Sequence, residues 1–349
     1  MAEHLSHLGD LLDPWDFSLP EAQIAREPAP ERDQSRLYRV GAEPGVFADI
    51  VAELRAGDLL VMNDVRVFRA RLRAFRASGG AVEAMISAPA RPKIGQDGTY
   101  FHAFLRPGRR LLVGDRLACG DGALVLVALH PDGTWTVRAE PDLDTLAASA
   151  GEVPLPPYLG RAPTAEDAER YQTVFAKEGH LRASAAPTAG LHMTDRLLQA
   201  IEVAGVQVAR VALEVGAGTF APLTSAAWTS GKLHTERYIV PTASWEAVIT
   251  ARSEGRRVVA LGTTTLRVLE SMTGPGAGET DLFIRPGYAF KRVDALITNF
   301  HLPRSSLLML VTAFGGMARV LDAYKNAVNS GFRFYSYGDA MWLTQHTSD

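Results

Sequence analysis

The sequence has one cysteine, no long apolar run and no excess of positive charge, and each lack excludes a class of protein. Cys119 alone cannot form an internal disulfide or a multi-cysteine metal site. The longest apolar stretch, LLMLVTAF, is too short to span a bilayer, and the first residues lack the basic start and apolar run of a signal peptide. We therefore expect a cytoplasmic protein.

The formal net charge of -3 gives no overall attraction to nucleic acid, so such a partner would have to bind a local basic patch. Two segments, RVFRARLRAFR and RPGRRLLVGDR, carry clustered arginines that could form this patch. The arginines are Arg66, Arg69, Arg71, Arg73, Arg76, Arg106, Arg109, Arg110 and Arg116. The alternative is that they are solvated faces of strands.

The pattern of apolar residues changes along the 349 residues and predicts two kinds of structure. From Val61 to Arg138, short alternating segments are separated by SGG, GQDG, GDGA and PDG, which is typical of a small barrel or sandwich. Beyond residue 155, strands, loops and helices alternate, which indicates an α/β domain. We predict a discontinuous α/β domain over 1–62 and 154–349, with a small all-β, barrel-like domain inserted at 63–153.

In the α/β half, three apolar strands each end in a loop of small and hydroxyl residues. VQVARVALEV leads into GAGTF, RRVVALG leads into TTTLRVLES, and VDALIT leads into NFHLPRSSLLMLV. Ligands of α/β sheets bind beyond the carboxyl ends of strands, so these loops predict one shared pocket. Each loop alone is equally well explained as a turn or a helix cap. The candidate residues are Gly216, Ala217, Gly218, Thr219, Thr263, Thr264, Asn299 and His301.

A fourth loop, SAAPTAGLHM, leads into a helix that we expect to be capped by Thr194 and to end near Gly205. Its small residues leave room for a ligand, and Pro187 restricts the backbone of the loop. Thr188 and His192 supply polar groups. The alternative for His192 is a core histidine that is hydrogen-bonded to the backbone.

A further candidate pair lies in KLHTERYIV. If this segment is a strand, the spacing of His234 and Glu236 places both side chains on one face, as an acid/base pair requires. Exposed His and Glu on a strand often have no function. His192, His234 and His301 show no local metal-ligand spacing, so we expect no metal.

The order of the longer motifs resembles that of one family. AAPTAGLHMT, VGAGTF, LHTERY, GTTTLRVLES, TNFHLPRSSLLMLVTAFGG and FRFYSYGDAM are similar to motifs of the S-adenosylmethionine:tRNA ribosyltransferase-isomerases (QueA) of queuosine biosynthesis. In the first half, FSLPEAQIAREPAPERDQSRL, GDLLVMNDVRVFRARL, FLRPGRRLLVGDRL and VPLPPYLGRAPTAEDAERYQTVFA follow the same order. The resemblance extends from about Asp16 to Trp342.

This resemblance implies an unusual use of S-adenosylmethionine as co-substrate. The family transfers the ribosyl part onto the aminomethyl group of a 7-deazaguanine base in tRNA, rearranges it, and releases adenine and methionine. The sulfonium acidifies the C5′ protons, so a base must remove one, an acid must help adenine leave, and water must be excluded.

The resemblance also suggests roles for the candidate residues. Thr263, Thr264 and the Gly216 to Thr219 loop would hold the methionine or ribose portion. Asn299 and His301 would lie near the reacting centre, and His192 would protonate adenine, with His234 and Glu236 as further titratable groups. Arginines of the β insertion would contact tRNA phosphates.

The chain departs from the family pattern at several positions, and NDVRVFRARL lacks a threonine and a proline that the family usually has. Glu214 stands where a histidine is usual, Arg182 and Ala183 replace a Gly-Ser pair, and Met193 replaces Phe. A paralogue that acts on a small molecule, or that cleaves S-adenosylmethionine itself, is therefore an alternative. The others are a conventional methyltransferase, although its early glycine-rich turn is missing, and a non-catalytic nucleic-acid-binding protein.

Overall fold

The computed structural model describes residues 8–90, 99–108, 110–131, 133–216 and 223–346. Its strands are β1 Arg36–Arg39, β2 Gly45–Val46, β3 Leu59–Asn63, β4 Val65–Val67, β5 Arg71–Phe75, β6 Ala81–Ala90, β7 Tyr100–Arg106, β8 Arg116–Cys119, β9 Gly122–Leu129, β10 Trp135–Glu140, β11 Gly151–Glu152, β12 Lys177–Ala183, β13 Gln207–Leu213, β14 Lys232–Val240, β15 Val258–Leu261, β16 Gly276–Leu282, β17 Ala295–Asn299 and β18 Ala340–Thr344.

The α-helices begin with α1, which covers residues 8–12. The others are α2 Ile50–Glu53, α3 Leu143–Ala150, α4 Asp167–Arg170, α5 Asp195–Val203, α6 Ser225–Ser230, α7 Thr242–Ser253, α8 Thr263–Ser271, α9 Ser306–Gly315 and α10 Met317–Asn329. A 3-10 helix, Thr188–His192, precedes α5. No single described helix is both long and apolar enough to cross a bilayer, although α9 and α10, bent by 117°, meet the length and composition criteria together.

In the described residues, nine strands form one mixed sheet in the order β16-β14-β13-β3-β15-β17-β18-β1-β2. Its centre, β13-β3-β15-β17, is parallel, and β3, β15 and β17 are buried along their whole length. Runs such as LLVM, the first four residues of β3, and VVAL are apolar throughout because helices or loops cover both faces of a parallel sheet. The carboxyl ends of these strands therefore meet at one edge.

The second sheet closes on itself. Strands β5, β6, β7, β10, β9 and β8 pair in that order, and Phe75 of β5 pairs with Ala118 of β8, which closes a six-stranded antiparallel barrel. Inward positions alternate with exposed ones, as in β8 and β5, and the buried ones include Leu72, Leu117 and Leu124. The predicted fold class, an α/β sheet with an inserted barrel, is confirmed. The domain limits at 62/63 and 153/154 stay a prediction.

The helix caps expected from the sequence are present. Thr194 Oγ1 accepts the Leu197 N–H at 3.1 Å at the start of α5, and Gly205 follows that helix with φ +82°. Ser305 caps α9 in the same way, with Oγ accepting the Leu308 N–H at 3.2 Å. These caps satisfy N–H groups that an α-helix leaves unpaired at its first turn.

Asn63 joins the two central strands β3 and β13 where β3 ends. Its Oδ1 accepts the N–H groups of Leu213 at 3.0 Å and Val65 at 3.2 Å, and the side chain is 1% exposed. The Asn63 side chain thus takes the place of backbone hydrogen bonds between the strands, because the chain turns here from β3 into β4.

We predict that Asn63→Ala lowers the free energy of unfolding by about 1–3 kcal/mol for each N–H left unpaired. Urea unfolding at neutral pH measures the loss. Asn326→Ala on the exposed face of α10 is the matched control, which should change stability by less than about 0.5 kcal/mol. Equal losses in both variants would contradict the bridging role.

Candidate active site

The predicted strand ends meet around one cavity of about 420 Å³. Its polar wall includes Thr188, Thr263, Thr264, Thr298, Asn299, His301, Ser305, Ser306 and Ser336, and also the charged Arg304. Leu12 of α1, Val215 and Leu223 add apolar surface. Of the predicted loop GAGTF, Gly216 is described, whereas Ala217, Gly218 and Thr219 lie outside the described residues. The structure therefore brings together residues from all the strand ends that the sequence singled out.

The N-terminus of α8 forms one side of this cavity. Gly262 precedes the helix with φ +92°, a conformation that favours glycine, and its N–H donates to Ile297 O at 2.7 Å. No side chain among the described residues caps α8. Because an uncapped helix start carries partial positive charge, this side of the cavity suits an anionic group.

Two threonines of α8 differ in the hydrogen bonding of their hydroxyl groups. Thr265 Oγ1 donates back to Leu261 O at 2.7 Å. Thr264 lines the cavity, and its buried Oγ1 has no hydrogen-bond partner among the described residues. A buried hydroxyl without a partner is costly unless a ligand pairs with it, so Thr264 is available to bind one.

Asn299 lies at the end of β17 and is 2% exposed. Its Nδ2 donates to His192 Nε2 and to Tyr335 O, both at 3.1 Å, whereas Oδ1 has no partner in the part of the chain that the structure describes. Asn299 lines the cavity, so its wall contains a buried acceptor in addition to the Thr264 hydroxyl.

His192 lies behind Asn299 and is not part of the wall of the large cavity. Its Nδ1 is 2.6 Å from Ser35 Oγ, and its ring stacks on Phe47 with centroids 4.8 Å apart. Burial, reinforced by the positive charges of Arg333 and Arg32, lowers the pKa of His192 from 6.5 to about 3. The ring is therefore neutral at physiological pH.

His301 lies in the cavity wall itself. Thr298 Oγ1 is 2.9 Å from its Nε2, and the Tyr324 hydroxyl accepts its backbone N–H at 3.0 Å. Burial lowers the pKa of His301 to about 3. The imidazole is thus neutral at physiological pH, on a residue that borders the cavity.

The structure does not bring His234 and Glu236 together as an acid/base pair. Both lie on β14, but the pairing of β14 with β16 shifts register between Lys232 and Glu236. His234 is consequently exposed, whereas Glu236 is buried and forms an ion pair with Arg267 of α8. Neither residue lines the cavity.

Tyr335 and Tyr158 were missed by reasoning from the sequence. Their rings stack with centroids 4.3 Å apart and both line the cavity. Tyr335 has φ +74°, which is unusual for an aromatic residue and marks a conformation that its surroundings impose. The segments FRFYSYGDAM and VPLPPYLGRAP stood out in the sequence, but nothing there showed that their tyrosines meet.

One departure from the family pattern places a carboxyl group beside this site. Glu214 is 4% exposed, its Oε2 has no partner within the described residues, and the next residue, Val215, lines the cavity. Burial, opposed by Arg237 and reinforced by Glu236, raises the pKa of Glu214 from 4.5 to about 7.

The pKa of Glu214 predicts a pH-dependent stability. The folded protein keeps this proton up to about pH 7, whereas the unfolded chain releases it near 4.5. The stabilisation is therefore complete below pH 4.5 and is lost as pH rises through 7. Glu214→Gln should melt at a higher temperature than the parent at pH 8.5, with a smaller difference at pH 5.5. The exposed Glu246→Gln is the control, and a difference independent of pH would contradict the buried, titrating carboxyl.

The chain matches, over residues 12–343, the family described as "Queuosine biosynthesis protein". It is 44% identical over 345 residues to the S-adenosylmethionine:tRNA ribosyltransferase-isomerase of Anaeromyxobacter dehalogenans strain 2CP-C, covering 95% of this chain and 99% of that relative. For the protein of the same name in Methylobacterium sp. strain 4-46, the identity is 46% and the coverage 95% and 98%.

A solved structure gives the same result. The crystal structure of S-adenosylmethionine tRNA ribosyltransferase from Thermotoga maritima is 34% identical to this chain, with a TM-score of 0.52. The similarity covers 94% of this chain and 99% of that one. The resemblance expected from the motifs is thereby confirmed, and the chain belongs to the queuosine biosynthesis family of S-adenosylmethionine:tRNA ribosyltransferase-isomerases.

Proposed function

We propose that this enzyme transfers the ribosyl moiety of S-adenosylmethionine to a 7-aminomethyl-7-deazaguanine base in tRNA and isomerises it, releasing adenine and methionine. The observation that carries the proposal is the cavity of about 420 Å³ at the strand ends of a chain from this family. Its volume falls in the range of roughly 300–1,000 Å³ that small-molecule sites occupy. S-adenosylmethionine is a co-substrate of suitable size.

The chemistry of the cavity suits the parts of that co-substrate. The uncapped start of α8, with Thr263 and Thr264, would bind the methionine carboxylate. The stacked Tyr158 and Tyr335 offer an aromatic surface for a base. Thr188, in the turn after Pro187, would add a further polar group to the enclosure.

His301 is the titratable group that we propose at the reacting centre. Removal of a C5′ proton next to the sulfonium and transfer of a proton to the departing adenine both need a group within hydrogen-bond reach. His301 lies in the wall, neutral, beside Thr298 and Asn299. The buried wall also excludes water from a reactive intermediate.

Six described arginines of the predicted patch are exposed, and three of them, Arg106, Arg110 and Arg116, belong to its second segment. Arg66, Arg69 and Arg73 are exposed. Arg71 is mostly buried and donates to Leu155 O at 2.8 Å, so its guanidinium is already bound within the protein. Arg110 is exposed with φ +63°, and Arg109 lies outside the described residues. We propose the exposed members as phosphate contacts.

Product analysis tests the reaction. Incubation with S-adenosylmethionine and tRNA bearing the 7-aminomethyl-7-deazaguanine base should release adenine and methionine and increase the mass of the tRNA. The same tRNA with guanine at that position is the control and should give neither product. Release without tRNA would identify a paralogue, and S-adenosylhomocysteine would identify a methyltransferase. Either result would contradict the proposal.

Salt dependence tests the role of the arginines. Because each neutralised phosphate releases counterions, the logarithm of tRNA affinity should fall steeply with the logarithm of salt concentration. Arg69→Ala with Arg73→Ala should reduce that slope by about 1 for each phosphate that an arginine no longer neutralises, with the KM for S-adenosylmethionine unchanged. Lys325→Ala, which removes a cation that is 69% exposed on α10, is the matched control. A slope near zero for the parent protein would exclude binding through phosphates.

A further inference from the structure

The Asn299 side chain can adopt only one amide orientation. The atom assigned as Nδ2 lies 3.1 Å from Tyr335 O and 3.5 Å from Ser336 O. Both neighbours are backbone carbonyls, which only accept hydrogen bonds, so an amide oxygen cannot occupy that position. The remaining atom, Oδ1, is buried and has no partner among residues 8–346 as far as the structure describes them, and Asn299 itself lines the cavity.

His192 contributes the third acceptor, and its tautomer is determined by its other neighbour. Ser35 Oγ donates to Arg32 O at 3.2 Å. Its oxygen therefore accepts from His192 Nδ1–H, 2.6 Å away. Nε2 is then unprotonated and accepts from Asn299 Nδ2 at 3.1 Å. Every polar side-chain atom between the Arg32 carbonyl and the Asn299 amide nitrogen is paired by a single arrangement of protons.

The surroundings of His192 keep the ring neutral and fixed. The ring is 4% exposed and stacks on Phe47 at an interplanar angle of 25°. The charged groups that act on it, Arg333 and Arg32, are both cationic and oppose a second proton. No carboxylate among the described residues bonds to either ring nitrogen. The site thus lacks the carboxylate partner that would stabilise an imidazolium.

We infer that His192 is a positioning residue that orients the Asn299 amide, so that Asn299 Oδ1 accepts a hydrogen bond from a hydroxyl or amino group of the bound co-substrate. The inference rests on the proposed function, in which that donor is a ribose hydroxyl or an amino group of S-adenosylmethionine. It replaces the role of acid for adenine that the sequence suggested for His192. A ligand group that only accepts hydrogen bonds would leave Oδ1 unpaired and is selected against.

The His192→Gln variant distinguishes a positioning role of His192 from a role in proton transfer. Its amide oxygen can accept from Asn299 Nδ2 much as Nε2 does, but it cannot act as an acid. We expect His192→Gln to keep kcat and the KM for S-adenosylmethionine near parental values, whereas His192→Ala loses about tenfold or more in kcat/KM, the effect of one buried hydrogen bond. The exposed His346→Gln is the control. If His192→Gln is as impaired as His192→Ala, the inference is wrong.

A double-mutant cycle shows whether His192 acts through Asn299. In an Asn299→Ala background, His192→Ala should cause little further loss, because its only route to the co-substrate has been removed. A full, multiplicative loss would show that His192 acts independently and would overturn the inference. The pH profile of kcat/KM between 6 and 9 should keep the same shape in His192→Gln as in the parent.

A measurement on the parent protein does not depend on any variant folding. Nitrogen NMR of the histidine rings should show His192 protonated at Nδ1 and unprotonated at Nε2 from pH 6 to 8. A doubly protonated ring, or an Nε2–H tautomer, would overturn the inference. Failure of the proposed function is distinguishable, because it is measured by the products that the parent enzyme releases with and without tRNA, whatever the state of His192.

Discussion

The hydrogen bonds of the Asn299 amide hold the candidate active site together. They connect the end of β17 to the 3-10 helix that carries His192 and to the backbone at Tyr335 and Ser336. Because three segments far apart in the chain converge on one nitrogen, the amide cannot rotate without losing several buried hydrogen bonds. Its oxygen consequently gives the cavity wall a fixed polarity before any substrate binds, which is the preorganisation that catalysis in a closed site requires.

Around that amide, burial determines which groups can carry charge. His192 and His301 both have pKa values of about 3 and are neutral, whereas the Glu214 pKa of about 7 lies near physiological pH. The partial positive charge at the start of α8 faces the same cavity. Because both histidines are neutral, they add no positive charge to the site. The electrostatic cost of binding a sulfonium substrate is therefore lower than it would be with charged imidazoles.

Much of this fold could be predicted from local sequence signals. Apolar runs marked the central strands, Thr194 and Ser305 marked helix starts, and small residues marked the strand ends that meet at the cavity. Long-range partners could not be predicted. Ser35 meets His192 from 157 positions away, and nothing near Tyr158 indicates that it stacks on Tyr335. The structure does not place His234 and Glu236 in the same environment, as the sequence predicted, because a register shift interrupts the alternation of β14.

A crystal structure with S-adenosylmethionine bound tests the central claim most directly, that this cavity is the co-substrate site. The account predicts the ligand between the start of α8 and Asn299, with its carboxylate at Thr263 and Thr264 and a hydroxyl or amino group within hydrogen-bond distance of Asn299 Oδ1. S-adenosylmethionine bound elsewhere on the protein, or bound here with an acceptor atom facing Oδ1, would contradict it.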